Sequence, residues 1–171
     1  MEPDFCGTVA EVLDRTGMDP AALVLEMTEN VFIEDGEHAT AVLVELKNLG
    51  VRLALDDFGT GYSSLNYLLR LPVNIVKIDQ SFIAGIGHNP TGGAIVAAVT
   101  ELAHALGLAV TAEGVETRMQ HDQVSAIGCE SAQGYFYARQ MTAATIGEQL
   151  ANVATGSLHL PTPRQAPAST M

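Results

Sequence analysis

The sequence predicts an α/β protein built on a parallel sheet. Short apolar segments alternate with longer amphipathic segments about five times along the 171 residues, which is typical of strand–helix–strand units. The short segments are almost continuously apolar, as buried parallel strands are. Residues 49–56 also resemble residues 106–113, because each segment runs from a helix end through a glycine and an apolar strand to an acidic residue.

The elements follow from apolar spacing and from the glycine or proline that ends each helix. The predicted helices cover residues 5–13, 41–49, 63–71, 91–106, 117–127 and 143–153, with stops at Gly17, Gly50, Pro72, Gly107 and Gly128 after the first five. The predicted strands cover residues 23–25, 51–55, 75–78 and 108–112, with one more in or near 134–137. Prolines and small residues predict a disordered tail over 155–171, after one domain over 1–154.

Composition excludes several classes of function. The net charge is −12, with 8 basic and 20 acidic residues, so a DNA or RNA duplex is not expected as a partner. Only Cys6 and Cys129 are present, and they suggest neither a disulfide framework nor a metal-binding pair. We find no signal peptide and no apolar run long enough for a membrane span. The expected location is therefore the cytoplasm, away from membranes.

Polar residues recur where the predicted strands end. They are Glu26, then Asp56 and Asp57, then Lys77 and Asp79, then Glu113 and Glu116, and finally Gln133. Any one of these acids could be an ordinary turn residue or a solvated charge. Their coincidence at successive strand ends favours a site, because the carboxyl ends of the strands form the catalytic face of a TIM-type (β/α) barrel.

The chemistry of this set points to divalent metal ions. Two neighbouring carboxylates such as Asp56 and Asp57 repel each other unless a cation lies close to both. Hard oxygen ligands suit Mg²⁺ or Mn²⁺ better than Zn²⁺. Two close divalent ions are a recurrent solution for phosphodiester hydrolysis, and a lysine can steady the attacking water or a phosphoryl oxygen.

Five motifs resemble those of the EAL domain family, the cyclic di-GMP phosphodiesterases, over most of the chain from Pro3 to about Met141. They are Leu-Glu-Met-Thr-Glu at 25–29, Asp-Asp-Phe-Gly-Thr-Gly-Tyr-Ser-Ser-Leu at 56–65, Val-Lys-Ile-Asp at 76–79 with Phe82, Ala-Glu-Gly-Val-Glu-Thr at 112–117, and Gln-Gly-Tyr at 133–135. The second motif is the most diagnostic for the family. The resemblance implies an enzyme that cleaves cyclic di-GMP to linear pGpG.

The resemblance also implies a role for each residue. Glu26 and Asp56 would bind one metal ion, and Asp56 would bridge to a second ion held with Asp57 and Glu113. Lys77 would contact the attacking water, with Asp79 beside it, and Glu113 would also be a candidate general base. Glu116 and Gln133 would line the site. Glu29 would stabilise the 56–64 loop. That loop would also contact the partner in a homodimer.

The chain departs from the family pattern in three ways. It contains no Glu-Ala-Leu triplet and lacks the asparagine of the next strand, both of which supply metal ligands in the family, and Gln140 stands where proline is usual. A complete barrel of this type needs about 250 residues. We therefore expect an incomplete barrel of about five βα units that begins mid-domain, without the first strands, and a chain of low or no activity by itself.

Three hypotheses remain open at this point. The chain is a phosphodiesterase whose first part is missing from the sequence, with Met1 as an internal methionine. Alternatively, it is a non-catalytic remnant that binds cyclic di-GMP or a protein. A third possibility is a different magnesium-dependent barrel enzyme of the enolase type, but the Asp-Asp-Phe-Gly-Thr-Gly-Tyr segment disfavours it.

Overall fold

The computed structural model of the chain describes residues 4–28, 31–59, 68–69, 71–87 and 90–154. The helices in this part are α1 (Phe5–Thr16), α2 (Val31–Asn48), α3 (Gln80–Ala84), α4 (Pro90–Ala105), α5 (Arg118–Ile127) and α6 (Ala143–Ala154), with a short 3₁₀ helix at Pro20–Ala22. The strands are β1 (Val24–Thr28), β2 (Arg52–Phe58), β3 (Ile75–Ile78), β4 (Ala109–Ala112) and β5 (Ser131–Ala132). The predicted alternation of helices and strands is confirmed.

The five strands form one parallel sheet in the order β1-β2-β3-β4-β5. Consecutive strands are therefore neighbours, as expected when each connection crosses back over the same face of the sheet. Within the described residues β1 and β5 are the two edges, so the sheet is open and does not close into a barrel. The predicted number of about five strands is confirmed.

Strand β3 lies in the middle of the sheet and is buried along its whole length. The side chains of Val76 and Ile78 are fully buried, and so are Leu53 of β2 and Val110 of β4. Because alternate residues of a strand point to opposite faces, burial of all four residues means that both faces of β3 are covered. Among them Lys77, with 4% of its surface exposed, is the one charged residue.

Several element boundaries differ from the sequence prediction. Helix α2 begins at Val31 rather than at residue 41, and the short helix α3 was not predicted. The last strand, predicted in or near residues 134–137, lies just before them. The last strand is Ser131–Ala132, and residues 135–137 form a turn in which the Tyr137 N–H donates to the Gly134 carbonyl. The predicted helix 63–71 lies mostly outside the described residues, and the predicted tail 155–171 lies wholly outside them.

The sequence predicts no membrane as a partner, and the length and apolar character of the helices are relevant to this prediction. In the part of the chain covered by the structure, no helix is long and apolar enough to cross a membrane.

Glu130 connects the amino-terminal ends of β4 and β5 to helix α4. Its Oε2 accepts a hydrogen bond from the Val110 N–H at 2.7 Å, and its Oε1 lies 2.9 Å from His104 Nε2. Burial of Glu130 would raise its pKa, but the hydrogen bond from Val110 and the nearby His104 outweigh burial, so the pKa lies below its ordinary value. The charged carboxylate therefore contributes to the stability of this end of the sheet.

We expect Glu130→Ala to lower the free energy of unfolding by about 1 kcal/mol at pH 6, because a charge-assisted hydrogen bond is lost at a half-exposed site. A carboxylate with a lowered folded-state pKa stabilises the fold above its unfolded pKa, near 4.3, and this contribution disappears as the pH falls through the folded-state value. The difference from the unmodified protein should therefore narrow between pH 5 and pH 3 in urea unfolding. Glu101→Ala, on the exposed side of α4, is the control. A difference that stays constant down to pH 3 would show that the charge of Glu130 is not involved.

Candidate functional site

The strand register places the predicted residues of the site on one face of the sheet. Asp56 pairs with Thr28 of β1, and Lys77 pairs with Thr111 of β4. Partners in a parallel sheet share a face, and so do residues two positions apart along a strand. Glu26 lies two residues before Thr28, and Glu113 lies two residues after Thr111. Both carboxylates are therefore on the same face of the sheet as Asp56 and Lys77. Ser131 pairs with Thr111, and Gln133 lies two residues after Ser131, so Gln133 is on this face as well.

Lys77 is at the centre of this group. Its Nζ lies 2.6 Å from Glu26 Oε2, 3.0 Å from Asp56 Oδ1 and 2.6 Å from Glu113 Oε1. The three carboxylates come from β1, from β2 and from the end of β4, whereas the lysine belongs to β3 between them. One buried ammonium group therefore contacts carboxylates from three other strand segments, with Glu26 in the middle of β1, Asp56 near the end of β2 and Glu113 just after β4.

Burial and neighbouring charges shift the pKa values of Lys77 and Glu113. Burial would lower the pKa of Lys77, but its hydrogen bonds to Glu113, Glu26 and Asp56 outweigh burial and raise the pKa above its ordinary value. Burial raises the pKa of Glu113, and the negative charges of Asp56 and Glu26 add to this effect, while Lys77 opposes it. The ammonium group thus compensates carboxylates that would otherwise repel one another.

Strand β2 carries a bulge at the acidic pair. Leu55 is opposite Val76 and Phe58 is opposite Ile78, so two residues of β2, Asp56 and Asp57, lie opposite the single residue Lys77. Asp57 adopts a φ of 55° and is the one non-glycine residue with positive φ among those described. Its N–H donates to Asp56 Oδ1 at 3.0 Å. A bulge inserts an extra residue and redirects side chains, so two adjacent acids reach the same site.

Asp56, Asp57 and Glu113 form a set that could hold a metal ion. Each offers a carboxylate oxygen, and these three oxygens lie within 4.8 Å of one another. Carboxylate oxygens at this spacing suit Mg²⁺ or Mn²⁺. Glu26 contacts the set through Lys77. The donors present therefore fit a hard divalent cation.

Gln133 lies beside Glu113. Its Nε2 donates to Glu113 Oε1 at 2.7 Å, the oxygen that also contacts Lys77. The amide and the ammonium group together fix the orientation of this carboxylate. The structure thus brings Gln133 into the group that was predicted from the strand ends.

Two other predicted residues are placed differently. The Asp79 carboxylate accepts a hydrogen bond from the Ser81 N–H at 3.0 Å and caps helix α3. Hydrogen bonding to the Ser81 side chain outweighs the effect of burial and lowers the pKa of Asp79, and the backbone N–H groups of Ser81 and Gln80 add to this effect. Glu116 has an exposed side chain at the loop after β4, and its N–H donates to Gln120. Catalytic roles for Asp79 and Glu116 stay predictions, as do those of the other site residues.

Two further predictions fall on residues that the structure does not describe. Glu29, expected to stabilise the 56–64 loop, lies outside the described residues, and so do positions 60–64 of that loop. The predicted homodimer contact through the loop stays a prediction. Sequence reasoning missed Gln120, a buried glutamine on α5 whose side chain bonds Glu116. The Thr-x-x-Gln pattern at 117–120, which is a capping-box signature, could have identified it.

Comparison with known proteins places this arrangement in a family. The profile of the EAL domain matches residues 1–140. MucR of Pseudomonas aeruginosa, described as a bifunctional diguanylate cyclase/cyclic di-GMP phosphodiesterase, is 42% identical over 136 residues, which are 80% of this chain and 20% of MucR. The chain thus spans about a fifth of that relative.

Solved structures give the same relationship. The crystal structure of the EAL domain of Mycobacterium smegmatis DcpA is 40% identical, with a TM-score of 0.83 over 89% of this chain and 68% of that one. A manganese/cyclic di-GMP complex of Klebsiella pneumoniae BlrP1 is 35% identical, with a TM-score of 0.74 over 81% of this chain and 35% of that one. The open sheet corresponds to part of the barrel-like fold of these proteins. The chain belongs to the EAL domain family.

Proposed function

We propose that this chain carries most of the catalytic site of a cyclic di-GMP phosphodiesterase that depends on Mg²⁺ or Mn²⁺. The observation that carries the proposal is the convergence of Glu26, Asp56 and Glu113 on the buried Lys77, with Asp57 joining through the bulge of β2. A fold needs no such concentration of carboxylates on one face of a sheet, and like charges there cost stability. Their presence is explained by a cationic ligand and an anionic substrate.

The metal would be held by Asp56, Asp57 and Glu113, with Glu26 as a further ligand beside Asp56. When bound, a divalent ion supplies Lewis acidity and lowers the pKa of a coordinated water. The choice between Mg²⁺ and Mn²⁺ does not follow from the ligands, because both ions accept carboxylate oxygens. The manganese complex of BlrP1 makes Mn²⁺ a reasonable first probe.

The substrate assignment rests on the relatives. MucR carries cyclic di-GMP phosphodiesterase in its name, and the solved BlrP1 structure contains cyclic di-GMP. Hydrolysis of one phosphodiester adds water across the bond between phosphorus and the ribose 3′ oxygen. That bond breaks, the 3′ oxygen takes a proton, and the product is linear pGpG.

The residues of this chain have separate tasks in that reaction. Glu113 accepts a proton from the attacking water, because it is the least exposed of the three carboxylates around Lys77 and lies between Lys77 and Gln133. Lys77 places a permanent positive charge where negative charge develops on the phosphoryl oxygens. Gln133 orients Glu113 and offers a second N–H to the substrate.

We also propose that the 171-residue chain alone turns over slowly. It contains no Glu-Ala-Leu triplet, and the carboxylates that converge in the described residues are fewer than two fully coordinated ions require. A missing ligand weakens a metal site and its catalytic effect. We place the protein in a reducing compartment such as the cytoplasm, because Cys6 and Cys129 are both free.

The test uses the purified chain with Mn²⁺ or Mg²⁺ and cyclic di-GMP, with binding followed by calorimetry and pGpG by chromatography. We expect binding and slow formation of pGpG. Glu113→Gln, which keeps the shape of the side chain and removes its charge, should reduce turnover at least 100-fold, the scale of a lost general base. Glu101→Gln, an exposed change on α4, should leave turnover within twofold.

The outcomes separate the hypotheses. Binding without pGpG would favour a non-catalytic receptor for cyclic di-GMP. No binding in the presence of either metal would overturn the assignment for this chain. Turnover equal to that of the EAL domain of DcpA, measured in parallel, would contradict the proposal that the isolated chain is slow.

Lys77→Met tests the electrostatics of the site without substrate. We expect lower stability, because three carboxylates lose their shared cation. The loss should be below the roughly 3–5 kcal/mol seen when a fully buried pair is broken, since two of the carboxylates stay partly hydrated. Burial already raises the pKa of Glu113 and Lys77 opposes that rise, so without Lys77 the folded-state pKa of Glu113 lies further above the unfolded value. The loss is therefore small near pH 4 and increases toward pH 7.

Urea unfolding at pH 5 and pH 7 measures this effect, with Lys47→Met on the exposed side of α2 as the matched control. Millimolar Mn²⁺ should restore part of the stability of Lys77→Met, because a ligand that binds only the folded state stabilises it. An equal loss at both pH values, or no effect of Mn²⁺, would argue against an interacting group of carboxylates.

A further inference from the structure

Gln120 is a buried polar residue on an otherwise ordinary surface helix. Only 7% of its surface is exposed. Its Oε1 accepts hydrogen bonds from the N–H groups of Glu116 at 2.8 Å and Thr117 at 3.0 Å, and its Nε2 donates to the Ile83 carbonyl at 3.2 Å. One side chain therefore connects the segment after β4 to helix α3, which follows β3.

Helix capping explains only one of these three bonds. Thr117 and Gln120 form a capping box, in which the Thr117 hydroxyl accepts from the Gln120 N–H and the Gln120 side chain accepts from the Thr117 N–H. This box provides hydrogen-bond partners for backbone N–H groups at the start of α5. The bonds to Glu116 and to Ile83 serve groups outside the helix. The start of α5 would be capped without them.

The same segment is held on both sides by close packing. Gly114 has a φ of 68°, and a Cβ added there would overlap with Gln80 at the start of α3. Val115 is fully buried, and its N–H donates to the Gln133 carbonyl at 3.0 Å. Residues 113–116 thus lie between the segments that follow β3 and β5, and Glu113 is the first of them.

We propose that Gln120 is a positioning residue for the carboxylate site: it fixes residues 113–116 against α3, and thereby sets where Glu113 lies relative to Lys77. None of these hydrogen bonds joins Gln120 to Lys77 or to Glu113, so Gln120 acts on them through the backbone. Its loss would leave two backbone N–H groups and one carbonyl without their partner; the bond to the Ile83 carbonyl is buried and the other two are partly buried. The segment would shift to recover hydrogen bonds, and Glu113 would shift with it.

The functional meaning of this proposal rests on the proposed function, in which Glu113 is a metal ligand. Groups that orient metal ligands change affinity 10–100-fold when they are removed. A residue that only stabilises helix α5 would change the free energy of unfolding without changing metal affinity at conditions where the protein is folded. The two roles therefore have different measurable consequences.

The experiment compares three variants of the full 171-residue chain. Gln120→Met has a similar length and makes none of the bonds. Gln120→Glu keeps an oxygen for Glu116 and Thr117 but loses the donor to Ile83. Thr117→Val removes the other half of the capping box, at a cost of about 1 kcal/mol, and leaves the connection to α3 in place. The probe is Mn²⁺ alone, titrated by electron paramagnetic resonance, together with hydrogen exchange of the Glu116 amide.

We expect Gln120→Met to raise the Kd for Mn²⁺ at least 10-fold and to accelerate exchange of the Glu116 amide. Gln120→Glu should retain slow exchange at Glu116 and raise the Kd by a smaller factor. Thr117→Val should stay within twofold of the unmodified chain in Kd, even when its loss of stability equals that of Gln120→Met. This pattern would support positioning of residues 113–116 by the bonds of Gln120 to Glu116 and to Ile83 together.

Two results would overturn the proposal. One is a Kd for Gln120→Met within twofold of the unmodified chain. The other is an equal increase in Kd for Thr117→Val and Gln120→Met. An unmodified chain that binds no Mn²⁺ would instead refute the proposed metal centre. In that case hydrogen exchange of the Glu116 amide tests whether Gln120 fixes residues 113–116. Faster exchange in Gln120→Met than in Thr117→Val supports this role, and equal exchange rates overturn it.

Discussion

A buried ammonium group among three carboxylates is the interaction on which the site depends. Lys77 belongs to the central strand β3, which is covered on both faces, and an isolated charge there would be very costly. Glu26, Asp56 and Glu113 make it tolerable, and in turn their mutual repulsion is tolerable because of Lys77. Removing either half leaves buried charge uncompensated, so β1 to β4 are held together at the site by charge as well as by backbone hydrogen bonds.

The backbone contributes a second constraint at the acidic pair. In a regular strand Asp56 and Asp57 would point to opposite faces. The bulge opposite Lys77 and the positive φ of Asp57 remove that alternation. A non-glycine residue in this conformation is unfavourable by itself and persists where surrounding structure imposes it. The strain is therefore located at the position where two carboxylates must act together, which is the expected place for it.

The sequence predicted the parts that follow from simple periodicity. The parallel sheet was predictable because its strands are short and apolar, and the grouping of Glu26, Asp56, Lys77 and Glu113 was predictable because each follows or ends a strand. The last strand ends at Ala132, just before the apolar residues near Gly134, since hydrogen bonds of Gln133 and Phe136 to Val115 accompany a turn that local apolar character does not reveal. The bulge at Asp57 depends on pairing with β3, and no local pattern encodes such a register.

The two sides of the site are held differently, and this difference bears on how the site works. On one side Glu113 is 14% exposed in its side chain and is held by Lys77, by Gln133 and, through the backbone, by Gln120. On the other side Glu26 is 48% exposed and lies on β1, an edge strand of the described sheet. Ordered donors are most useful where charge develops during reaction. Under the proposed function, the β4–β5 side is therefore the part suited to proton transfer, and the β1 side is the part more open to solvent.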